Sequence, residues 1–352
     1  MKQEKTRILS RDGVEVEAFA PVVLSVSRST DIPAFYSEWF FNRIEEGYCR
    51  WRNPFNGTDS YVSFQDVRFI VFWSKNPAPL LPYLERLRER GINCYVQYTL
   101  NDYESEGLEP GVPPLHTRIK TFKALTKELG IGCVVWRFDP LILTDRIDID
   151  NLLHKIEGIG NQLKGLTEKL VFSFADISSY RKVSNNLRNH GVNYREWTEP
   201  EMLELAKRLS AMNIRNGWNF KLATCGEKID LRQFGVHHNR CIDDALIARI
   251  AWHDKELMNH LGLKIENIVP NLFGKSEIPE DAILLDEKHY ATRRRSNRDA
   301  GQRQFCGCIQ AKDIGAYNTC SHGCLYCYAN ASPESANLNY SRHNVDAETI
   351  IS

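Results

Sequence analysis

This chain of 352 residues holds no apolar run approaching the roughly 18 residues a membrane-crossing helix needs, and its mean hydropathy is -0.41. A helical membrane span is thereby excluded. Neither sign of charge dominates, with 45 basic against 45 acidic side chains, so a broad basic face for nucleic acid is excluded, though a local basic groove is not. There is no glycine-rich phosphate loop of the P-loop or dinucleotide type. Internal repeats and low-complexity tracts are also missing. Residues 1–20 carry charges throughout and have no apolar signal-peptide core, which predicts a cytoplasmic protein. The remainder, 42% hydrophobic and 26% charged, is the composition of an ordinary folded globule with a sizeable core.

The informative residue is cysteine. Of the ten in the chain, five fall between positions 306 and 327: Cys306, Cys308, Cys320, Cys324 and Cys327. An even spread would put fewer than one there. In a reducing compartment such crowding indicates metal or redox chemistry rather than disulfides.

Six β-rich apolar runs, at 22–26, 69–73, 94–98, 133–138, 170–174 and 219–223, alternate with amphipathic segments at 34–46, 80–90, 116–129, 148–163 and 199–212. Near-continuous Val, Ile, Phe, Tyr and Trp suit strands buried on both faces of a parallel sheet. The alternation predicts an α/β fold of TIM-barrel type, a partial (β/α)6 barrel over 21–265. It is preceded by an extension (1–20) with a hairpin around Arg11-Asp12-Gly13, and followed by a segment (266–352) that carries the cysteine loop. Polar residues follow each strand: Ser27 and Arg28, Lys75 and Asn76, Asn101 and Asp102, Arg137 and Asp139, Asp176, Cys225 and Glu227. In parallel α/β folds such strand ends converge on one functional rim. Lys75, Arg137 and Asp139 each abut an aromatic run, which marks them as more than ordinary loop polarity. They are the catalytic candidates.

Cys320, Cys324 and Cys327 are spaced C-x3-C-x2-C. Three thiolates so close can hold a four-iron cube and leave one iron open to a small chelating molecule. Zinc is the rival reading, with His322, Cys306 or Cys308 as a fourth ligand. Cys225, Cys241, Cys306 and Cys308 number the four thiolates of an auxiliary iron–sulfur cluster or zinc site, whereas Cys49, Cys94 and Cys133 read as packing residues. His237-His238 reads as ordinary histidine. The basic run Arg293-Arg294-Arg295, with Arg298 and Arg303, is either a solvated face or a contact for an anionic substrate, a nucleic-acid strand or an electron donor.

The C-x3-C-x2-C loop, with an aromatic (Tyr326) before its third cysteine, resembles the signature of the radical S-adenosylmethionine (SAM) superfamily. The string at 317–329 looks especially like spore photoproduct lyase and its relatives. A second resemblance covers more of the chain. Residues 27–36, 72–79, 97–100, 136–140, Thr224-Cys225, 241–243 and Cys306-Gly307-Cys308 resemble a bacterial family, domain of unknown function 1848 (DUF1848). The first resemblance implies a [4Fe–4S] cluster on Cys320, Cys324 and Cys327 whose open iron chelates SAM, with Tyr326 against the adenine. Reductive cleavage would then give methionine and a 5′-deoxyadenosyl radical. It also implies an electron donor such as flavodoxin or ferredoxin, and an unidentified small-molecule or nucleic-acid substrate. Ser27, Arg28, Asn76 and Asp176 are the further cofactor-binding candidates. Arg137 and Lys75 are placed for a carboxylate. A closed barrel lined by Trp73, Tyr98, Trp136 and Phe138 would shield the radical. The cysteine loop lies near the wrong end of the chain for the superfamily, which a circular permutation explains. The alternatives are a non-catalytic iron–sulfur or zinc protein that senses redox state or binds a partner, and nucleic-acid repair.

Overall fold

The computed structural model describes residues 4–54, 56–269 and 278–351. Its centre is an eight-stranded sheet whose strands are β1 (Val23–Val26), β2 (Phe69–Ser74), β3 (Asn93–Thr99), β4 (Val134–Leu141), β5 (Lys169–Phe174), β6 (Lys221–Thr224), β7 (Val236–His238) and β8 (Lys312–Asp313). Every neighbouring pair is parallel, in the order β7-β6-β5-β4-β3-β2-β1-β8. The six predicted strands are therefore present to within a few residues. Two were missed. β7 and β8 have only three and two residues, too short to show a periodicity. They form the two edges of the sheet, and among the described residues no ladder joins them, so the barrel is not closed.

Side chains alternate between the two faces of each strand. Leu24, Val26, Ile70, Phe72, Val96, Tyr98, Trp136, Phe138, Leu170 and Phe172 form the larger core with the crossover helices. Those helices include α1 (Ser37–Glu46), α2 (Leu115–Leu129), α3 (Ile149–Leu163) and α4 (Glu199–Arg215). Asp148 and Thr198 start α3 and α4 with reciprocal capping boxes. The opposite face carries Val23, Phe69, Val71, Tyr95, Val135 and Val171. Ile242, Leu246 and Ile247 cover it, on and before the helix Asp244–Ala251, with a three-stranded antiparallel sheet behind.

The expectation that Trp73, Tyr98, Trp136 and Phe138 line one cavity is thus corrected. Trp73 packs on the second face, while the other three belong to the helix-covered core. Runs apolar at every position conceal which residue faces which way.

The N-terminal hairpin forms between Lys5–Leu9 and Glu15–Phe19 and joins a small sheet with Tyr48–Arg52 and Asp59–Ser63. The far end of the chain returns to it: Arg50 N donates to Glu348 O at 2.7 Å and Trp39 Nε1 to Ala347 O at 2.8 Å. Among the described residues no helix is long and apolar enough to cross a membrane.

Candidate metal and cofactor site

The cysteine loop leaves β8 directly, at the edge of the sheet beside β1. Asp313 fixes that edge. Its carboxylate accepts from Ser25 Oγ (2.7 Å), Ser27 Oγ (2.8 Å), Arg28 N (3.0 Å) and Gly315 N (2.9 Å). Two residues on, Gly315 lies so close to the β1 loop that a Cβ there would collide with Ser27 Oγ and Ser29 Oγ. Thr30 Oγ1 donates to Ala316 O (2.7 Å) and lies 2.8 Å from Thr319 Oγ1, and Tyr36 OH donates to Thr319 O at 2.7 Å. Residues 27–36, marked by the family resemblance, thus hold the cysteine loop. Ser27, a cofactor-binding candidate, uses its hydroxyl in that clamp.

A buried histidine–carboxylate contact underlies the loop. His322 Nε2 lies 2.7 Å from Asp31 Oδ2, and its Nδ1 lies 3.2 Å from Gly111 O. Both ring nitrogens face acceptors. His322 therefore has no free nitrogen for the fourth zinc ligand it was considered for. Burial alone would push the Asp31 carboxyl up. Hydrogen bonds from His322, Ser74 Oγ (2.6 Å) and Lys75 N (2.7 Å) outweigh it and hold Asp31 below the usual carboxylate range. A Cβ on Gly111 would sit 2.7 Å from His322 O, so only glycine lets these two loops touch.

Lys75 and Tyr326 meet on a third residue, Glu109. Lys75 Nζ donates to Glu109 Oε1 at 2.7 Å and to Tyr326 OH at 2.9 Å, while Tyr326 OH also bonds Glu109. Asn101 Nδ2 donates to the same carboxylate at 3.0 Å. Burial opposes the charge on Glu109, but Lys75 and Arg118 prevail and its pKa falls to about 2. Lys75 also faces Cys324 electrostatically. Burial raises the Cys320 thiol to about 12 and the Cys324 thiol well above its ordinary value. The three loop cysteines lie within electrostatic range of one another. A small cavity beside them is lined by Cys324, Cys327 and Asn330, whose buried Oδ1 has no hydrogen-bond partner.

Arg137 and Asp139 stand elsewhere on the rim. Arg137 Nη2 bonds Asp139, and its Nη1 donates to Cys241 Sγ at 3.0 Å and to Gln97 Oε1 at 3.3 Å. Asp139 also accepts from Ser173 Oγ. Cys225 and Cys241 sulfurs are 3.4 Å apart. The structure thus divides the candidates, with Lys75 and Tyr326 beside the loop cysteines and Arg137 and Asp139 beside the other four. Asn101 joins the halves, since its Nδ2 reaches Tyr326 OH (3.1 Å) and its Oδ1 accepts from Asp139 N (2.9 Å). Asn76 donates its backbone N–H to Ser74 Oγ at 2.9 Å, and Asp176 is exposed. Among the described residues, no group of three or more His, Cys, Asp or Glu side chains is arranged so that it could hold a metal ion.

Sequence reasoning singled out neither Glu109, Asn101, Asp313 nor Glu227. Glu227 accepts from Phe174 N at 2.9 Å, and burial lifts its pKa to about 7. Only the polarity of the strand-end loops pointed towards Asn101 and Glu227. Glu109 and Asp313 lie away from the ends of the six predicted strands. Two members of the basic run are engaged, Arg293 with Asp244 at 2.7 Å and Arg298 with Cys306 O at 2.8 Å, while Arg294, Arg295, Arg298 and Arg303 are exposed.

The model of the family described as a domain of unknown function (DUF1848) matches residues 23–329, and the chain belongs to that family. No curated protein and no solved structure matches it. The likeness to spore photoproduct lyase therefore rests on the string at 317–329 alone.

Proposed function

We propose that this member of the family is a radical SAM-type enzyme, a permuted partial barrel whose [4Fe–4S] cluster is held by Cys320, Cys324 and Cys327. One observation carries the reading: the three-cysteine loop follows directly on a parallel strand at the sheet edge, the place from which it overhangs the carboxyl ends of the other strands. The return of the chain's far end to the N-terminal sheet suits a permutation. The fit of the residues to the group is good on two counts. The loop offers three thiols and no free histidine, leaving one metal vertex without a protein ligand. Asn330, beside the cysteine cavity, has a buried Oδ1 with no hydrogen-bond partner.

When bound, the cluster and SAM would supply one-electron chemistry that breaks a carbon–sulfur bond. This chain's residues do the rest. Lys75, charged and held by Glu109, offsets the negative charge of the loop at Cys324. Tyr326 is fixed by its hydroxyl, with its ring at 75° to that of Tyr103 and Lys75 Nζ 5.3 Å from its centroid, and is proposed to lie against the adenine. Asn76 and Asp176 are proposed to reach the cofactor from their strand ends. Asp139 and Glu227 sit across the rim where substrate would lie. Flavodoxin or ferredoxin is the proposed class of electron donor.

The test is anaerobic reconstitution with iron and sulfide, followed by dithionite and SAM. Release of 5′-deoxyadenosine is expected, abolished by Cys324→Ala. A cluster that forms and ignores SAM leaves a non-catalytic iron–sulfur protein and sinks the enzymatic reading.

A further inference from the structure

We infer that Cys225, Cys241, Cys306 and Cys308 form a second, independent centre that binds one thiophilic divalent cation, zinc foremost, as a tetrahedral tetrathiolate. Three separate segments bring them together: the end of β6, the turn after β7 and the Cys-Gly-Cys run ahead of β8. The contacts run as a string. Cys225 Sγ lies 3.4 Å from Cys241 Sγ, and Cys308 lies within electrostatic range of both Cys241 and Cys306. With zinc–sulfur bonds of about 2.3 Å, the sulfurs of a regular tetrahedron are about 3.8 Å apart. The observed spacing is close to that edge. A four-iron cube holds its cysteines on separate corners, beyond hydrogen-bonding distance, so the spacing favours a single ion over an auxiliary cluster. Cys306, half-buried at the open end of the string, is the residue that swings inward to complete the site.

The surroundings fit the charge. A divalent ion with four thiolates carries two net negative charges, and two guanidiniums stand by. Arg137 donates to Cys241 Sγ at 3.0 Å. Arg28 faces Cys308, Cys241 and Cys306 electrostatically, and its buried Nη2 has no hydrogen-bond partner. Both lie 5.3 Å from the Trp73 ring centroid. Further N–H groups aim at the sulfurs: Asn239 Nδ2 at Cys241 (3.2 Å) and Ile242 N at Cys308 (3.4 Å). Such donors are what orients and holds thiolate ligands. Gly307 has a reason to be glycine, since a Cβ there would sit 2.8 Å from Arg240 Cγ.

This inference does not rest on the reading of the loop at 320–327, and the experiment keeps them apart. Full-length protein with Cys320→Ala, Cys324→Ala and Cys327→Ala is purified without oxygen and its metals and acid-labile sulfide are measured. About one zinc or iron per chain with no sulfide is expected. Replacement by cobalt should give the thiolate charge-transfer and ligand-field bands of a tetrahedral site. Adding Cys241→Ser and Cys308→Ser should lower metal content at least tenfold. Should those variants fail to fold, zinc-edge X-ray absorption on the unmutated protein reads the same site, and four sulfur neighbours are expected. Metal below a tenth of an equivalent, iron with matching sulfide, mixed nitrogen and sulfur ligands, or a Cys225–Cys241 disulfide in the purified protein would each overturn it.

Discussion

Glu109 shows how a single buried carboxylate organises the rim. Its Oε1 takes Lys75, Asn101 and Tyr326 together. Glu109→Gln strands the Lys75 ammonium in a buried place and should cost about 3 kcal/mol, seen as a lower urea midpoint. Lys75→Met in the same chain should recover part of that loss, because it removes the stranded ammonium while the buried Arg118, 3.8 Å from Glu109, still lacks its carboxylate. Glu227 makes a second prediction. Its folded pKa is raised to about 7 by burial, from an ordinary value of 4.5, so the native state holds a proton that the unfolded chain releases. The associated stability is complete below pH 4.5 and is lost as pH rises through 7. The upper bound is about 3 kcal/mol. Glu227→Gln keeps an acceptor for Phe174 N and should flatten the decline in unfolding free energy between those pH values. An unchanged slope would contradict the account. At this scale the sequence was partly legible. Lys75 and Tyr326 stand out beside a strand and a cysteine, whereas Glu109 sits in an unremarkable loop and gains its meaning only from what surrounds it.

Among elements, the long parallel strands were readable because they are apolar throughout. That same uniformity hid their facing, so Trp73 and Trp136 could not be told apart. The edge strand β8 was not readable, since two residues carry no period. Its position depends instead on Asp313 and on two glycines pressed against neighbouring loops. Gly315→Ala and Gly111→Ala should each destabilise the protein by about 1–3 kcal/mol through overcrowding. Amide hydrogen exchange should quicken across 316–330 while β3 and β4 stay protected. Exchange rising equally everywhere would show that these contacts hold the whole fold rather than this edge. Lys312 adds to the same edge from within β8, its ammonium 3.2 Å from the Trp51 ring centroid.

Taken whole, the molecule is an open parallel sheet with one face under helices and the other under the segment that begins near Cys241 and runs to β8. The sequence identified the alternation and the crowding of thiols, but not that described parts of the late segment would cover the second face of the sheet. That depends on contacts between residues far apart, which local patterning does not record. Ser25 and Asp313, paired across the β1–β8 edge, are 288 positions apart. During synthesis β1 leaves the ribosome early and waits, its outer edge bare, until almost everything else has been made. On the proposed function, iron could be taken up at this loop only once residues 320–327 have also been made. Until β8 arrives, a nascent chain is at its most prone to pair with a neighbour of its own kind.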